Sequence, residues 1–151
     1  MAKILVADGM DKTAADSLKQ MGHILTEEHF EVDELKSQIK NHDAVIVRSA
    51  TKITKDIIDA ALETKQLKLV VRAGVGVDNI DVNYALENGI KVNNTPSASS
   101  AAVAELAIGH MFSLARYIYI SNVTMRDGQW NKKQYKGIEL GGKTLGLIGF
   151  G

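Results

Sequence analysis

Apolar residues in the first ninety-odd positions fall into two alternating patterns. Short apolar runs occur at Lys3-Ile4-Leu5-Val6-Ala7, His23-Ile24-Leu25-Thr26, Asp43-Ala44-Val45-Ile46-Val47, residues 67–71 and residues 90–92, the last two each holding one lysine. Runs of that length, closed by polar or glycine residues, predict strands buried on both faces. Between them the apolar spacing changes to the helical period. Ala14, Ala15, Leu18 and Met21 share one face of residues 11–21, and Leu35 and Ile39 share one face of residues 32–40. Thr54 is placed to cap a helix burying Ile57, Ile58, Ala61 and Leu62, and a short helix over residues 81–87 ends at Asn88-Gly89. Strands and helices in alternation predict an α/β domain: a doubly wound parallel sheet of five strands, complete before residue 95.

The pattern changes after Pro96, the one proline. A long helix is expected from about residue 100 to Tyr119. Its stripe of Val103, Leu106, Ala107, His110, Met111 and Leu114 is joined by off-stripe Ile108, Phe112 and Tyr119, so burial on two sides is expected. Residues 126–139 turn polar and read as an arm or loop carrying Trp130 and Tyr135. Gly142 then opens a turn into a further apolar run, Leu145-Gly146-Leu147-Ile148, expected to be a buried strand. It leads into Gly149-Phe150-Gly151, the opening half of a dinucleotide-binding fingerprint. The expectation is an N-terminal piece of a longer protein.

Composition narrows the classes. Eighteen Lys+Arg balance eighteen Asp+Glu, which removes the basic surface that nucleic acid or an anionic membrane would require. With 45% hydrophobic and 24% charged residues the chain is globular. Cys 0 excludes disulfides, thiolate metal sites and a cysteine nucleophile, and fits a reducing, cytoplasmic location. The most apolar stretch, residues 101–120, carries Glu105, His110 and Arg116, so no membrane span is expected.

Two strand-to-loop junctions offer chemistry: Val47-Arg48-Ser49-Ala50-Thr51-Lys52 and Arg72-Ala73-Gly74-Val75-Gly76-Val77-Asp78. Ligands of open parallel sheets bind beyond the carboxyl ends of strands, where both junctions lie. Each supplies an arginine for an anion, while Gly74 and Gly76 allow backbone N–H groups to approach it. On spacing alone, Arg72 could equally form a structural ion pair and the glycines simply turn the chain. A signalling receiver domain is the competing class suggested by Lys3-Ile4-Leu5-Val6-Ala7-Asp8. It fails because Arg48-Ser49 stands where a phosphoacceptor aspartate must be.

These motifs also carry a resemblance. The run Arg72 to Asp81 resembles the glycine-rich signature of the D-2-hydroxyacid dehydrogenases. Val92-Asn93-Asn94-Thr95-Pro96 with Ala102-Val103-Ala104-Glu105-Leu106-Ala107 is similar to that family's next block, and the likeness extends over the whole chain. It implies a flavodoxin-like substrate-binding domain at residues 1–97, and the start of a Rossmann NAD-binding domain at 98–151. It implies substrate contacts at Arg48, Ser49, Arg72, Gly74, Val75, Gly76 and Ser99, the last where many relatives have asparagine. Cofactor contacts are implied at Val75, Gly149 and Gly151. The family's arginine, glutamate and histidine catalytic set lies beyond this chain, so the chain alone is expected to be inactive. The implied reaction is NAD-dependent oxidation of a small anionic 2-hydroxy acid, D-3-phosphoglycerate first, with glyoxylate, hydroxypyruvate or D-lactate chemistry as alternatives. A non-catalytic NAD-binding relative and a homodimer or higher homo-oligomer are further expectations.

Other residues receive plainer expectations. His110 is read as structural, and His23, His29 and His42 as surface residues near element ends. Glu105 is expected to be buried against a partner, since an unpaired buried carboxylate is costly. Asp78, Asn79 and Asp81 are assigned to helix capping rather than to a metal, and Trp130 with Tyr135 to an interdomain or dimer arm.

Overall fold

The computed structural model describes residues 1–149. They form two compact units, Met1–Ser99 and the segment from Ser100 onward. The first unit runs β1 (Lys3–Val6), α1 (Lys12–Gln20), β2 (Ile24–Glu27), α2 (Val32–Ile39), β3 (Ala44–Val47), α3 (Lys55–Leu62), β4 (Leu69–Arg72), α4 (Val82–Glu87) and β5 (Lys91–Asn94). The sheet order is β2-β1-β3-β4-β5 and every pairing is parallel. This is the flavodoxin-like order, with its switch point between β1 and β3.

Strand alternation sorts the apolar residues onto two faces. Leu5, Ala7, Val45, Val47 and Val70 pack with Leu35, Ile39, Ile57, Ile58 and Ala61 of α2 and α3, forming the main core. Ile4, Val6 and Ala44 form a thinner second cluster, against which Leu18 of α1 packs. Burying each such branched side chain contributes roughly 1.5–3 kcal/mol, so the α2–α3 face dominates the unit's stability.

The helix ends differ from the sequence reading in two places. Asp11 caps α1 as its position suggests, accepting from the N–H groups of Thr13 and Ala14 at 2.9 and 3.3 Å. Thr54 stands at the N-cap of α3 but makes no capping bond to it. The Lys55 N–H instead donates to Asp81 Oδ2 at 2.7 Å. Asp81 therefore serves α3, twenty-odd residues earlier, and makes no side-chain capping bond to its own helix α4. His42 is also displaced from expectation: it is 5% exposed rather than superficial. Its Nδ1 donates to the Gln38 carbonyl at 2.7 Å and its Nε2 meets Thr26 Oγ1 at 3.0 Å, so burial leaves neither ring nitrogen unpaired.

The second unit contains α5 (Ser100–Arg116) and α6 (Ile118–Arg126). The single helix expected to reach Tyr119 is broken at Tyr117, which adopts the left-handed conformation at φ 57°. Neither glycine nor proline marks the break; the following segment supplies the reason. The Tyr117 ring stacks on Tyr135 with centroids 5.7 Å apart, and the Ile138 N–H takes the Ala115 carbonyl at 2.9 Å. Gly137 lies so near that a Cβ there would sit 2.5 Å from that carbonyl oxygen. Residues 131–138 thus fold back on the end of α5 as a loop, and α6 extends helix past Tyr119, where the expected one stopped, to Arg126.

Burial in this unit also departs from expectation. Among the described residues only Ala115 is buried; Glu105 and His110 are exposed. Leu145, Leu147 and Ile148 are exposed and form no strand. A strand exists through its ladder, and no described residue pairs with this run. No helix among the described residues is long and apolar enough to cross a membrane.

Candidate active site

The carboxyl ends of β1, β3 and β4 converge in the first unit, and β1 contributes the anchor. Asp8 follows β1, and its side chain is only 4% exposed. Its Oδ2 accepts the Arg48 N–H at 2.6 Å, both oxygens lie 3.1 Å from the Thr51 N–H, and Oδ1 accepts the Thr51 hydroxyl at 2.6 Å. Burial alone would raise the carboxyl's affinity for a proton. The Thr51 hydroxyl, the two backbone N–H groups and nearby His29 outweigh it, and Asp8 is held below the usual carboxylate range. From the opposite side, Asn79 Nδ2 donates to the carbonyls of Arg48 and Thr51 at 2.9 and 2.7 Å. The turn is thereby pinned at both ends, and Arg48, Ser49 and Ala50 are presented to solvent at its crown.

The loop after β4 lies beside it. Ala73 N–H donates to the Val47 carbonyl at 2.8 Å, and Ile53 and Ile80 form a parallel bridge. Arg72 folds back over Gly74: a Cβ at Gly74 would occupy the space of Arg72 Nη1. Arg72 Nη2 donates to Ser49 Oγ at 3.0 Å, while its Nε–H is buried and donates to no group among the described residues. The loop is held from β5, where Asn94 Nδ2 donates to the Val75 carbonyl at 2.7 Å and the Thr95 N–H to the Gly74 carbonyl at 2.9 Å. The N–H groups of Val75, Gly76 and Val77 donate to no other group among the described residues.

The alternative reading of Arg72 as a structural ion pair is therefore not the one adopted. Among the described residues neither Arg48 nor Arg72 has a carboxylate within salt-bridge distance. Two cationic side chains and a run of unengaged N–H groups on adjacent loops have the chemistry of an anion cradle. Its geometry brings together Arg48, Ser49, Arg72, Gly74, Val75 and Gly76. Ser99 is exposed on the turn before α5 and makes no hydrogen bond with them. Gly149 belongs to the second unit, exposed, with φ 80° and open space where a Cβ would stand; Gly151 lies outside the described residues.

Asp8, Asn79 and Asn94 escape the sequence reading as parts of this site. Their partners stand 40 and 43, 31 and 28, and 19 residues away, so only the sheet order reveals them. The sole linear signal is that Asp8 and Asn94 terminate or follow apolar runs on the same edge as Arg48 and Arg72. Asn79 and Asp81, assigned to capping by position, instead fasten loop to loop and loop to α3.

Residues 4–144 match the family described as D-isomer specific 2-hydroxyacid dehydrogenase, catalytic domain. Hydroxypyruvate reductase of Thermotoga maritima is 52% identical over 150 residues, covering 99% of this chain and 48% of that protein. D-3-phosphoglycerate dehydrogenase of Methanocaldococcus jannaschii is 47% identical over 151 residues, covering 100% of this chain and 28% of its own. The chain thus spans about half of one curated relative and little over a quarter of the other. Among solved structures, NAD+-bound 3-phosphoglycerate dehydrogenase of Entamoeba histolytica superposes with a TM-score of 0.64 at 36% identity, over 76% of this chain and 39% of that one.

Proposed function

The chain belongs to the D-isomer specific 2-hydroxyacid dehydrogenase family, and from that premise we propose that the whole protein oxidises D-3-phosphoglycerate to 3-phosphohydroxypyruvate with NAD, in the route to serine. The observation that carries the reading is the cradle of Arg48 and Arg72, two guanidinium groups without carboxylate partners on adjacent loops. Exposed Lys52 adds a third positive charge nearby in sequence. A 2-hydroxy acid carrying both carboxylate and phosphate matches that charge better than a monoanion does.

In this reading the chain's own residues bind and orient. The N–H groups of Val75, Gly76 and Val77 receive the carboxylate, as a fixed set of donors with no reorganisation to make. Arg72, propped by Ser49 and seated over Gly74, fixes the anion's orientation, and Arg48 draws in the second charge. Val75, half exposed at the crown of its loop with its carbonyl held by Asn94, offers apolar surface suited to a nicotinamide face. Gly149, with positive φ and no packed neighbour, leaves backbone open to a pyrophosphate. NAD, when bound, supplies the hydride acceptor. The acid–base group is assigned to the part of the protein beyond residue 151, so the 151-residue chain alone should form no NADH. A homodimer is the proposed assembly, supported by the exposed apolar surface of α5 and α6. A cytoplasmic site is supported by the lack of cysteine.

Hydroxypyruvate reduction is the second reading, favoured by the 52% identical Thermotoga relative of that name. Initial rates of the full-length protein with D-3-phosphoglycerate, D-glycerate and D-lactate plus NAD, and with hydroxypyruvate plus NADH, separate the two. A kcat/KM for D-3-phosphoglycerate above that for D-glycerate is the expected result; the reverse order establishes the second reading.

A further inference from the structure

The pinning of residues 48–51 extends the proposed site to residues that do not line it. The Arg48 peptide is held through its N–H by Asp8 and through its carbonyl by Asn79, and Thr51 is held by the same two side chains. Ser49 and Ala50, between them, make no backbone hydrogen bond to the rest of the described chain. The crown therefore has no internal rigidity of its own. Its shape is imposed from β1 on one side and from the loop after β4 on the other. Ser49 Oγ in turn props Arg72 at 3.0 Å, so a shift of this turn would displace both arginines.

We infer that Asp8 is a positioning residue, with Asn79 as its counterpart. Together they set Arg48 and Ser49, and through Ser49 Arg72, in the geometry that receives the anionic end of the substrate. The inference rests on the reading of this cradle as the substrate site. Asp8 touches no substrate; it acts by accepting three donors that would otherwise have no buried acceptor. A neutral amide in its place does so only in part. With its oxygen at the Oδ2 place it can still accept the N–H groups of Arg48 and Thr51, but its NH2 then stands 3.1 Å from the Thr51 N–H, donor beside donor, and the Thr51 hydroxyl must turn round to accept from it. The charge is lost as well, and the turn is held more weakly. Because charge-assisted bonds exceed neutral ones, the loss should be felt at the cradle and be small elsewhere.

The test uses full-length protein carrying Asp8→Asn, Asp8→Glu or Asn79→Ala, with Asp11→Ala as a control that removes only the α1 cap. Asp8→Asn should raise KM for D-3-phosphoglycerate by about 10- to 100-fold, with kcat and KM for NAD changing by less than about threefold. Asp8→Glu, which keeps the carboxylate, should recover part of the loss. Asp11→Ala should lower thermal stability without moving KM. Amide hydrogen exchange at Arg48 and Thr51 should accelerate in Asp8→Asn. Where that variant does not fold, Asn79→Ala should give the same KM shift from the carbonyl side. Calorimetric titration of wild type and variants with tartronate, a non-turned-over 2-hydroxy dicarboxylate, repeats the comparison without catalysis. An active wild type whose Asp8→Asn KM is unchanged, or rises only in step with kcat and KM for NAD, overturns the positioning role alone. A wild type that neither turns over the acids nor binds tartronate overturns the substrate-site reading and the inference with it.

Discussion

The two units use apolar residues to opposite effect. In Met1–Ser99 large branched side chains such as Leu5, Val45, Ile57 and Ile58 are fully enclosed. In the unit from Ser100 onward, Leu106, Phe112, Leu114, Tyr119 and Trp130 are exposed, and Ala115 is the one buried residue among those described. Apolar content does not distinguish them, since α5 is at least as apolar as α3. A complementary surface does: α2 and α3 face a sheet whose alternation presents Leu5, Val45, Val47 and Val70 toward them, whereas no sheet forms among the described residues of the second unit. Hydrophobicity is a demand for a partner, and a core exists only where the chain supplies one.

The largest expected difference follows directly. Leu5→Ala, at a site with no exposure, should lower unfolding free energy by about 2–5 kcal/mol. In the monomeric 151-residue chain Leu114→Ala, on a residue 80% exposed, should change it by no more than about 0.5 kcal/mol. Urea denaturation followed by circular dichroism measures both, and similar losses would erase the contrast between the units.

Gly74→Ala sharpens the contrast by separating stability from binding within the first unit. The new methyl would take the place of Arg72 Nη1, the mobile end of a side chain, so the guanidinium must swing away while the backbone need not move. Affinity for a 2-hydroxy dicarboxylate should fall about tenfold or more, the scale of one lost charge-assisted contact. The thermal midpoint should shift by less than a few degrees, on the order of a surface substitution. Paired calorimetry and thermal melts read the two quantities independently.

The smallest effect concerns acid. Every ion pair among the described residues lies in the first unit, and Lys36–Asp56 and Lys40–Glu63 join α2 to α3. The Lys36 ammonium, then the Thr54 hydroxyl, hold the Asp56 carboxyl down at about 2. A carboxyl whose folded value is depressed stabilises the fold above its unfolded value, ordinarily near 3.8, and the contribution is lost as pH falls through about 2. The pair is exposed and the contribution is small. The carboxyl carbon of Asp56 should titrate by NMR at about 2, and Lys36→Met should raise it toward the ordinary range, with the Thr54 hydroxyl still holding it somewhat below.

The sequence was most legible where local pattern and tertiary structure coincide. Five short apolar runs separated by helical spacing could hardly be anything but a parallel sheet, and each strand appears within a residue or two of its run. The position of Arg48, Arg72, Gly74 and Gly76 beyond the carboxyl ends of strands was also legible, because it follows directly from where the apolar runs stop. What could not be read depends on long-range pairing. Asp8 sits 40 residues from the N–H it accepts, and His42 is buried because Gln38 and Thr26 happen to meet its two nitrogens. Tyr117 breaks a helix with no local breaker present; Tyr135, Gly137 and Ile138 compel it from eighteen or more residues away.

The strand order has a consequence for how the chain is made. β1 can pair with β2 as soon as α1 and β2 leave the ribosome, but Ile4 meets Ala44 on its other side only when β3 emerges, forty residues after Ile4 itself. Until then β1 offers an open, apolar edge, and such an edge accepts a strand from any neighbouring chain. The nascent protein is therefore most exposed to mispairing during the synthesis of β2, α2 and β3, and slowing translation across that stretch should cost more soluble yield than slowing it anywhere later in the sheet.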